Sequence, residues 1–208
     1  MPPRPAVILL HGLWMNRYIC LPLAWSLRRA GFTPYLFGYS SVHDGIEANA
    51  ACLANFVAGI PEDTVHFVAH SLGGLVTLEM LSKHKHTRQG RAVLLGSPIR
   101  GSFLAHSLAK YRFGKWLVGP SLIEWNPPPL NTWTGKTEVG VIAGSIRLGM
   151  AMFFSSGLPL PNDGAVAVEE TQLLGLKAHL VLPVSHTGML VSSRVMRETA
   201  TFLRTGEF

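Results

Sequence analysis

Short apolar runs alternate with helix-type runs along the whole chain. Val7–Leu10, Tyr35–Tyr39, Thr64–Ala69, Ala92–Leu95, Val139–Ala143 and His179–Pro183 are brief and mostly apolar. Strands covered on both faces have that pattern. Between them the spacing predicts helices near residues 17–30, 45–58, 72–84, 102–112 and 189–204. Strand–helix alternation of this kind predicts an α/β fold: a mostly parallel sheet of about six strands with helices on both faces. Two connections, 100–137 and 144–178, are too long for simple turns, and the first reads as a cap-like insertion in a single domain spanning 1–208. Asn126-Pro127-Pro128-Pro129 within it reads as a rigid loop.

Composition narrows the class. Hydrophobic residues make up 48% of the 208 positions and charged residues 14%, enough for a sizeable core and incompatible with a disordered chain. The net charge is +6, from 18 Lys and Arg against 12 Asp and Glu. That excess comes as much from scarce acids as from basic runs, so nucleic acid is not expected as a partner, whereas an anionic surface would be attracted. The densest basic stretch, Lys83 to Arg88, follows an apolar helix and suits a solvated helix end. Cys20 and Cys52 are too few for a disulfide framework and read as small core residues. No basic-then-apolar leader opens the sequence, so a cytoplasmic location is expected. Residues 139–160 are interrupted by Arg147, Gly144, Gly149 and Gly157 and make a poor membrane span.

The most informative stretch is Val65-His66-Phe67-Val68-Ala69-His70-Ser71-Leu72-Gly73-Gly74. A strand runs straight into a helix with Ser71 at the junction, and small residues, Ala69 and Gly73, stand two positions to either side. That spacing fits a nucleophile elbow, a tight turn that lifts the hydroxyl clear of the sheet beside the first helical N–H groups. A plain helix N-cap serine would occupy the same position.

A serine hydroxyl attacks only when a base takes its proton, and the base, usually His, is oriented by a carboxylate. In a strand–turn–helix elbow the chain order is Ser, acid, His. Glu79 points away along the helix, Glu138 begins a strand at the wrong end, and Glu124 falls in the long aromatic connection. Asp163, one of three Asp residues, follows the fifth strand in the turn sequence Pro161-Asn162-Asp163-Gly164 and is the candidate acid; Glu169 and Glu170 stand in reserve. Of the two later histidines, His179 opens the last strand and His186 lies just past it, so His186 is the candidate base. An oxyanion needs two donors. The N–H of Leu72, directly after Ser71, and that of Leu13, in the His11-Gly12-Leu13-Trp14 turn, are expected to supply them. His11 reads as a structural hydrogen-bonding residue.

Together, His11-Gly12, Ala-His-Ser-Leu-Gly-Gly, Asn-Asp-Gly and Ser-His resemble the alpha/beta-hydrolase superfamily, most closely its small bacterial lipases and esterases. The stretch Gly96-Ser97-Pro98-Ile99-Arg100-Gly101-Ser102 is similar to the segment after the fourth strand in lipase-like members, including deacylases and acyltransferases of membrane lipids. The resemblance covers nearly the whole chain and implies a pared-down alpha/beta-hydrolase fold lacking the superfamily's first two strands. It implies catalytic roles for Ser71, Asp163 and His186, and a small-molecule or lipid ester as substrate. Fold membership does not fix the substrate, and some members are catalytically silent binding modules.

Aromatic residues crowd the 100–137 connection, where family members often insert a lid. Trp14, Trp116, Trp125 and Trp133, with Met152 from the next connection, are candidates to line an acyl groove. Ordinary core or an interface fits them equally well. The segment looks too short to seal a long groove, which favours short to medium acyl chains. If the pocket held water poorly, the same groups would serve an acyltransferase or a thioesterase. The positive net charge and apolar composition also fit transient contact with a membrane surface. No Cys/His zinc spacing, phosphate loop or dinucleotide fingerprint occurs, so no metal or cofactor is expected.

Overall fold

A computed structural model describes residues 4–84, 88–110, 112–125, 132–148 and 157–208. Six strands form one sheet: β1 (Ala6–Leu10), β2 (Thr33–Phe37), β3 (Val65–His70), β4 (Arg91–Leu95), β5 (Glu138–Gly144) and β6 (Ala178–Leu182). Their order is β2-β1-β3-β4-β5-β6, and every pairing is parallel.

Alternate residues of each strand face opposite sides of the sheet, and both sides are covered. Ile8, Leu10, Phe67, Ala69, Leu94 and Val141 pack under α2 (Ile46–Ala58) and α3 (Leu72–Lys83). Val7, Leu9, Val68, Val93, Leu95 and Ile142 pack under α1 (Leu21–Arg29) and α6 (Ser193–Thr205). Burial on both faces is why the strands read as unbroken apolar runs.

Several boundaries differ from the sequence pattern, each for a local reason. β2 ends at Phe37 because it pairs residue for residue with β1, which ends at Leu10. Tyr39 leaves the sheet instead, stacking on His11 at 4.5 Å and donating its hydroxyl to the His11 carbonyl at 2.7 Å. The 17–30 helix divides at Pro22, which stands in the first turn of α1; Arg17–Cys20 form a separate 3-10 turn. The 189–204 helix likewise divides into a 3-10 turn, Thr187–Leu190, and α6, whose N-terminus Ser192 caps. Cys52 is exposed rather than core, since α2 buries Asn49, Ala50 and Leu53.

The long connection between β4 and β5 holds two helices, α4 (Phe103–Leu108) and α5 (Arg112–Glu124). The second is not among the helices that the sequence pattern predicts. Gly119 leaves helical geometry, at φ 69° and ψ 164°, so α5 is two helical segments that meet at a kink, with Pro120 opening the second. Polar bonds hold α5 against the start of α2: Ser121 Oγ donates to the Asp44 carbonyl at 2.8 Å, and Glu124 accepts from the Ile46 N–H at 3.3 Å. Of the basic stretch, Lys83 pairs with Glu79 and Arg88 donates to the Ile60 and Glu62 carbonyls; positions 85–87 lie outside the described residues.

His66, on β3, is buried and accepts the Arg91 N–H at 3.0 Å through Nδ1. Burial first, then the Arg91 charge, pushes its pKa down to about 4. The unfolded chain would bind that proton near the ordinary 6.5. This contribution to stability is therefore complete above pH 6.5 and lost as pH falls towards 4, about 3 kcal/mol in all. His66→Asn keeps an acceptor for Arg91 and is expected to flatten the fall of the unfolding midpoint across that window. Equal slopes for variant and wild type would refute the assignment.

Candidate active site

The strand order reverses at β1, whose two neighbours are β2 and β3. In a parallel sheet that reversal opens a crevice at the carboxyl ends of the strands. The turn after β1, with Gly12, and the turn after β3, with Ser71, flank it.

Ser71 joins β3 directly to α3 at φ 53°, ψ −120°. Its N–H donates to the Leu95 carbonyl at 2.8 Å, which fixes the turn to the end of β4. The turn brings α3 close to β1: a methyl group on Gly73 would stand 2.7 Å from the His11 carbonyl oxygen and 2.8 Å from Leu10 Cβ. This close approach explains the small residue two positions after the serine. Leu72 opens α3, so its N–H has no partner within the helix and lies beside the Ser71 turn.

Asp163 is buried and fully used. Its Oδ1 accepts from the N–H groups of Ala165 at 2.9 Å and Val166 at 2.8 Å. Its Oδ2 lies 2.8 Å from His186 Nδ1, and the His186 N–H donates back to the Asp163 carbonyl at 3.0 Å. A carboxylate accepts, so Nδ1 carries a proton, and in the neutral ring Nε2 offers its lone pair. Gly96, at φ 56°, lets β4 end against this pair: a methyl group there would stand 3.0 Å from Asp163 Oδ2 and 3.1 Å from His186 Nδ1. His186 is also held beside β3, for its carbonyl oxygen lies 2.9 Å from Nε2 of His70, the residue before Ser71.

The turn after β1 closes the site. Met15 donates to the Gly12 carbonyl at 3.3 Å, and Trp14 sits at φ 58°. A methyl group on Gly12 would stand 3.2 Å from Ser71 Cβ. The Leu13 and Leu72 turns, both expected to aim N–H groups at an oxyanion, thus meet at Ser71. His11 is buried within this turn, and burial lowers its pKa.

The remaining candidates divide. Trp14 and Trp116 are exposed and touch, their rings 4.9 Å apart, with Phe113 a further 5.6 Å from Trp116. Trp125 is half-buried and donates its ring N–H to the Ile99 carbonyl at 3.1 Å. Trp133 is a core residue, not a groove residue: it packs with Val139 and Leu173 and donates to the Thr137 carbonyl at 3.0 Å. Met152 lies outside the described residues. Of the reserve acids, Glu170 accepts from Phe103 N–H at 2.5 Å and Ala167 N–H at 2.6 Å, and burial raises its pKa. It fastens α4 to the segment carrying Asp163 rather than approaching His186. His70 was not singled out from the sequence, and Gly96 only as part of the stretch that follows the fourth strand. Their signal was position alone, one residue before the serine and one after a strand end.

A cavity of about 770 Å³ opens at the opposite, amino ends of the strands, lined by Arg88, Arg91, Lys136 and Arg204. The three guanidinium groups already donate to main-chain carbonyls at helix ends, including those of Ile60, Leu203 and Ala30. Among the described residues no three His, Cys, Asp or Glu side chains cluster to hold a metal ion, and no helix is long and apolar enough to cross a membrane.

The pattern defining the alpha/beta hydrolase family matches residues 7–194. No curated protein matches the sequence. Among solved structures, the mature lipase BlEst2 of Bacillus licheniformis is similar over 100% of this chain and 94% of its own, at 18% identity and a TM-score of 0.78. A metagenomic carboxyl esterase covers 89% of this chain with 65% of its own, at 20% identity and a TM-score of 0.66. A lipase-esterase related protein of Clostridium acetobutylicum covers 96% with 93% of its own, at 12% and 0.66. At these identities the likeness is one of fold.

Proposed function

Because the chain belongs to the alpha/beta hydrolase family, we propose that it is a serine hydrolase that cleaves carboxylic esters of short to medium acyl chains. The observation that carries this reading is the 2.8 Å bond from His186 Nδ1 to the buried Asp163, held beside the Ser71 turn. Lipases and a carboxyl esterase among the similar structures support the same chemistry.

Ser71 Oγ attacks the ester carbonyl while His186 Nε2 takes its proton. The carbonyl oxygen becomes an oxyanion held by the N–H groups of Leu13 and Leu72, each donor contributing about 3 kcal/mol in the transition state. Asp163 stabilises the imidazolium. The carbon–oxygen bond to the alcohol then breaks, His186 gives that oxygen the proton, and the acyl group stays on Ser71. Water, deprotonated by His186, attacks the acyl-enzyme and releases the acid and Ser71.

The helices α4 and α5 of the 100–137 connection act as a cap over this crevice. The exposed Trp14, Trp116 and Phe113 cluster, continuous with the turn after β1, supports an acyl-facing role for Trp14 and Trp116. It also suits transient contact with a lipid surface.

The test pairs a fluorophosphonate probe with a p-nitrophenyl ester series from about C2 to C16. Stoichiometric labelling mapped to Ser71, with turnover peaking at short or medium chains, is expected. A protein that neither labels nor turns over is not a serine hydrolase. Turnover that peaks at the longest chains refutes the chain-length reading.

A further inference from the structure

His70 ends β3 and is buried, yet its imidazole is only half satisfied. Nε2 lies 2.9 Å from the His186 carbonyl oxygen. A carbonyl only accepts, so Nε2 carries the proton. Nδ1 is then a bare lone pair, and it finds no hydrogen-bond partner among the described residues. It faces the Gly12 backbone, where a methyl group would stand 2.9 Å away. The ring is thus wedged between the turn after β1 and the turn after β6, with its centre 4.6 Å from that of His186.

Packing alone does not account for an imidazole here. A Phe or Leu would fill a buried space without leaving a polar atom unpaired, which is costly. The gain from a histidine lies in its donor.

We infer that His70 is a positioning residue: its Nε2–H holds the main-chain carbonyl of His186 and so sets how the imidazole of His186 meets Ser71. The inference rests on the serine hydrolase reading above. Burial, and then the neighbouring His186, push the His70 pKa down to about 3. The ring therefore stays neutral while His186 works, neither taking its proton nor adding a positive charge beside it.

Two variants separate the donor from the ring. His70→Gln keeps an N–H near the position of Nε2, and His70→Phe keeps a ring without one. Each is compared with wild type for kcat per fluorophosphonate-titrated site, for KM and for unfolding midpoint. His70→Phe is expected to lose about 100-fold in kcat with KM little changed, as a slight misplacement of a catalytic group does. His70→Gln is expected to recover most of that loss. Unchanged kcat per titrated site in both, with only the midpoint shifted, would make His70 merely structural and overturn the proposal; equal losses in both would overturn it too. A wild type that neither labels nor turns over esters sinks the hydrolase reading instead. Nitrogen-15 spectra of the imidazole then decide the tether: a neutral ring protonated on Nε2 from about pH 5 to pH 8 supports it, and a charged ring or the other tautomer refutes it.

Discussion

Ser71→Ala is expected to lower kcat for ester hydrolysis by about six orders of magnitude while leaving KM and the fold nearly unchanged. The size follows from cooperation within the site. Without Oγ there is no acyl-enzyme, and neither His186 nor Asp163 has a serine proton to handle. Any residual rate comes from the Leu13 and Leu72 N–H groups polarising a carbonyl for attack by water, about three to four orders above the uncatalysed reaction. The fold should persist, because the bond from residue 71 to the Leu95 carbonyl is a main-chain bond and alanine keeps the Cβ that packs near Gly12. The measurement is kcat on the best p-nitrophenyl ester, with the unfolding midpoint as control. Wild-type turnover from Ser71→Ala would remove Ser71 from the mechanism altogether.

The second large effect is expected from Asp163→Asn, about four orders of magnitude in kcat. The two side chains have the same shape, so the change is one of donor and acceptor alone. Oδ1 accepts two N–H groups, from Ala165 and Val166, and an amide preserves both by turning its oxygen towards them. Its NH2 group then faces His186 Nδ1, where Oδ2 was. The imidazole must accept there, which moves its proton to Nε2, the atom proposed to receive the proton of Ser71. The opposite amide orientation keeps the bond to His186 but sets an NH2 group against two N–H donors in a buried place. Comparison of kcat for Asp163→Asn and wild type decides the matter. A loss under about tenfold would mean that the orientation of His186 does not depend on Asp163.

The parallel order of the sheet was legible because its four inner strands are buried on both faces and read as apolar runs. Asp163, in the connection after β5, and His186, just past β6, could be read as candidates to meet because both follow strand ends, and the two strands pair side by side. What stayed hidden was set by contacts distant in sequence. The end of β2 follows the end of β1, not its own apolar stretch. α5 breaks at Gly119 into two helical segments, and bonds from Ser121 and Glu124 hold the second against the start of α2. Trp133 looked no different from Trp116 in sequence, but its indole N–H found the Thr137 carbonyl and its ring the core. His70 looked like any buried histidine, and only the nearby His186 carbonyl distinguishes it.

The backbone at Ser71 has a consequence for how the protein can be stabilised. At φ 53° and ψ −120° a residue bearing a Cβ is held in a disfavoured conformation, at a cost of about 1–3 kcal/mol. Glycine takes up such angles with little penalty. Ser71→Gly should therefore unfold at a higher temperature than wild type while being inactive. Selection for thermal stability alone would discard the proposed nucleophile. Selection for turnover keeps a local defect that the rest of the sheet must hold in place.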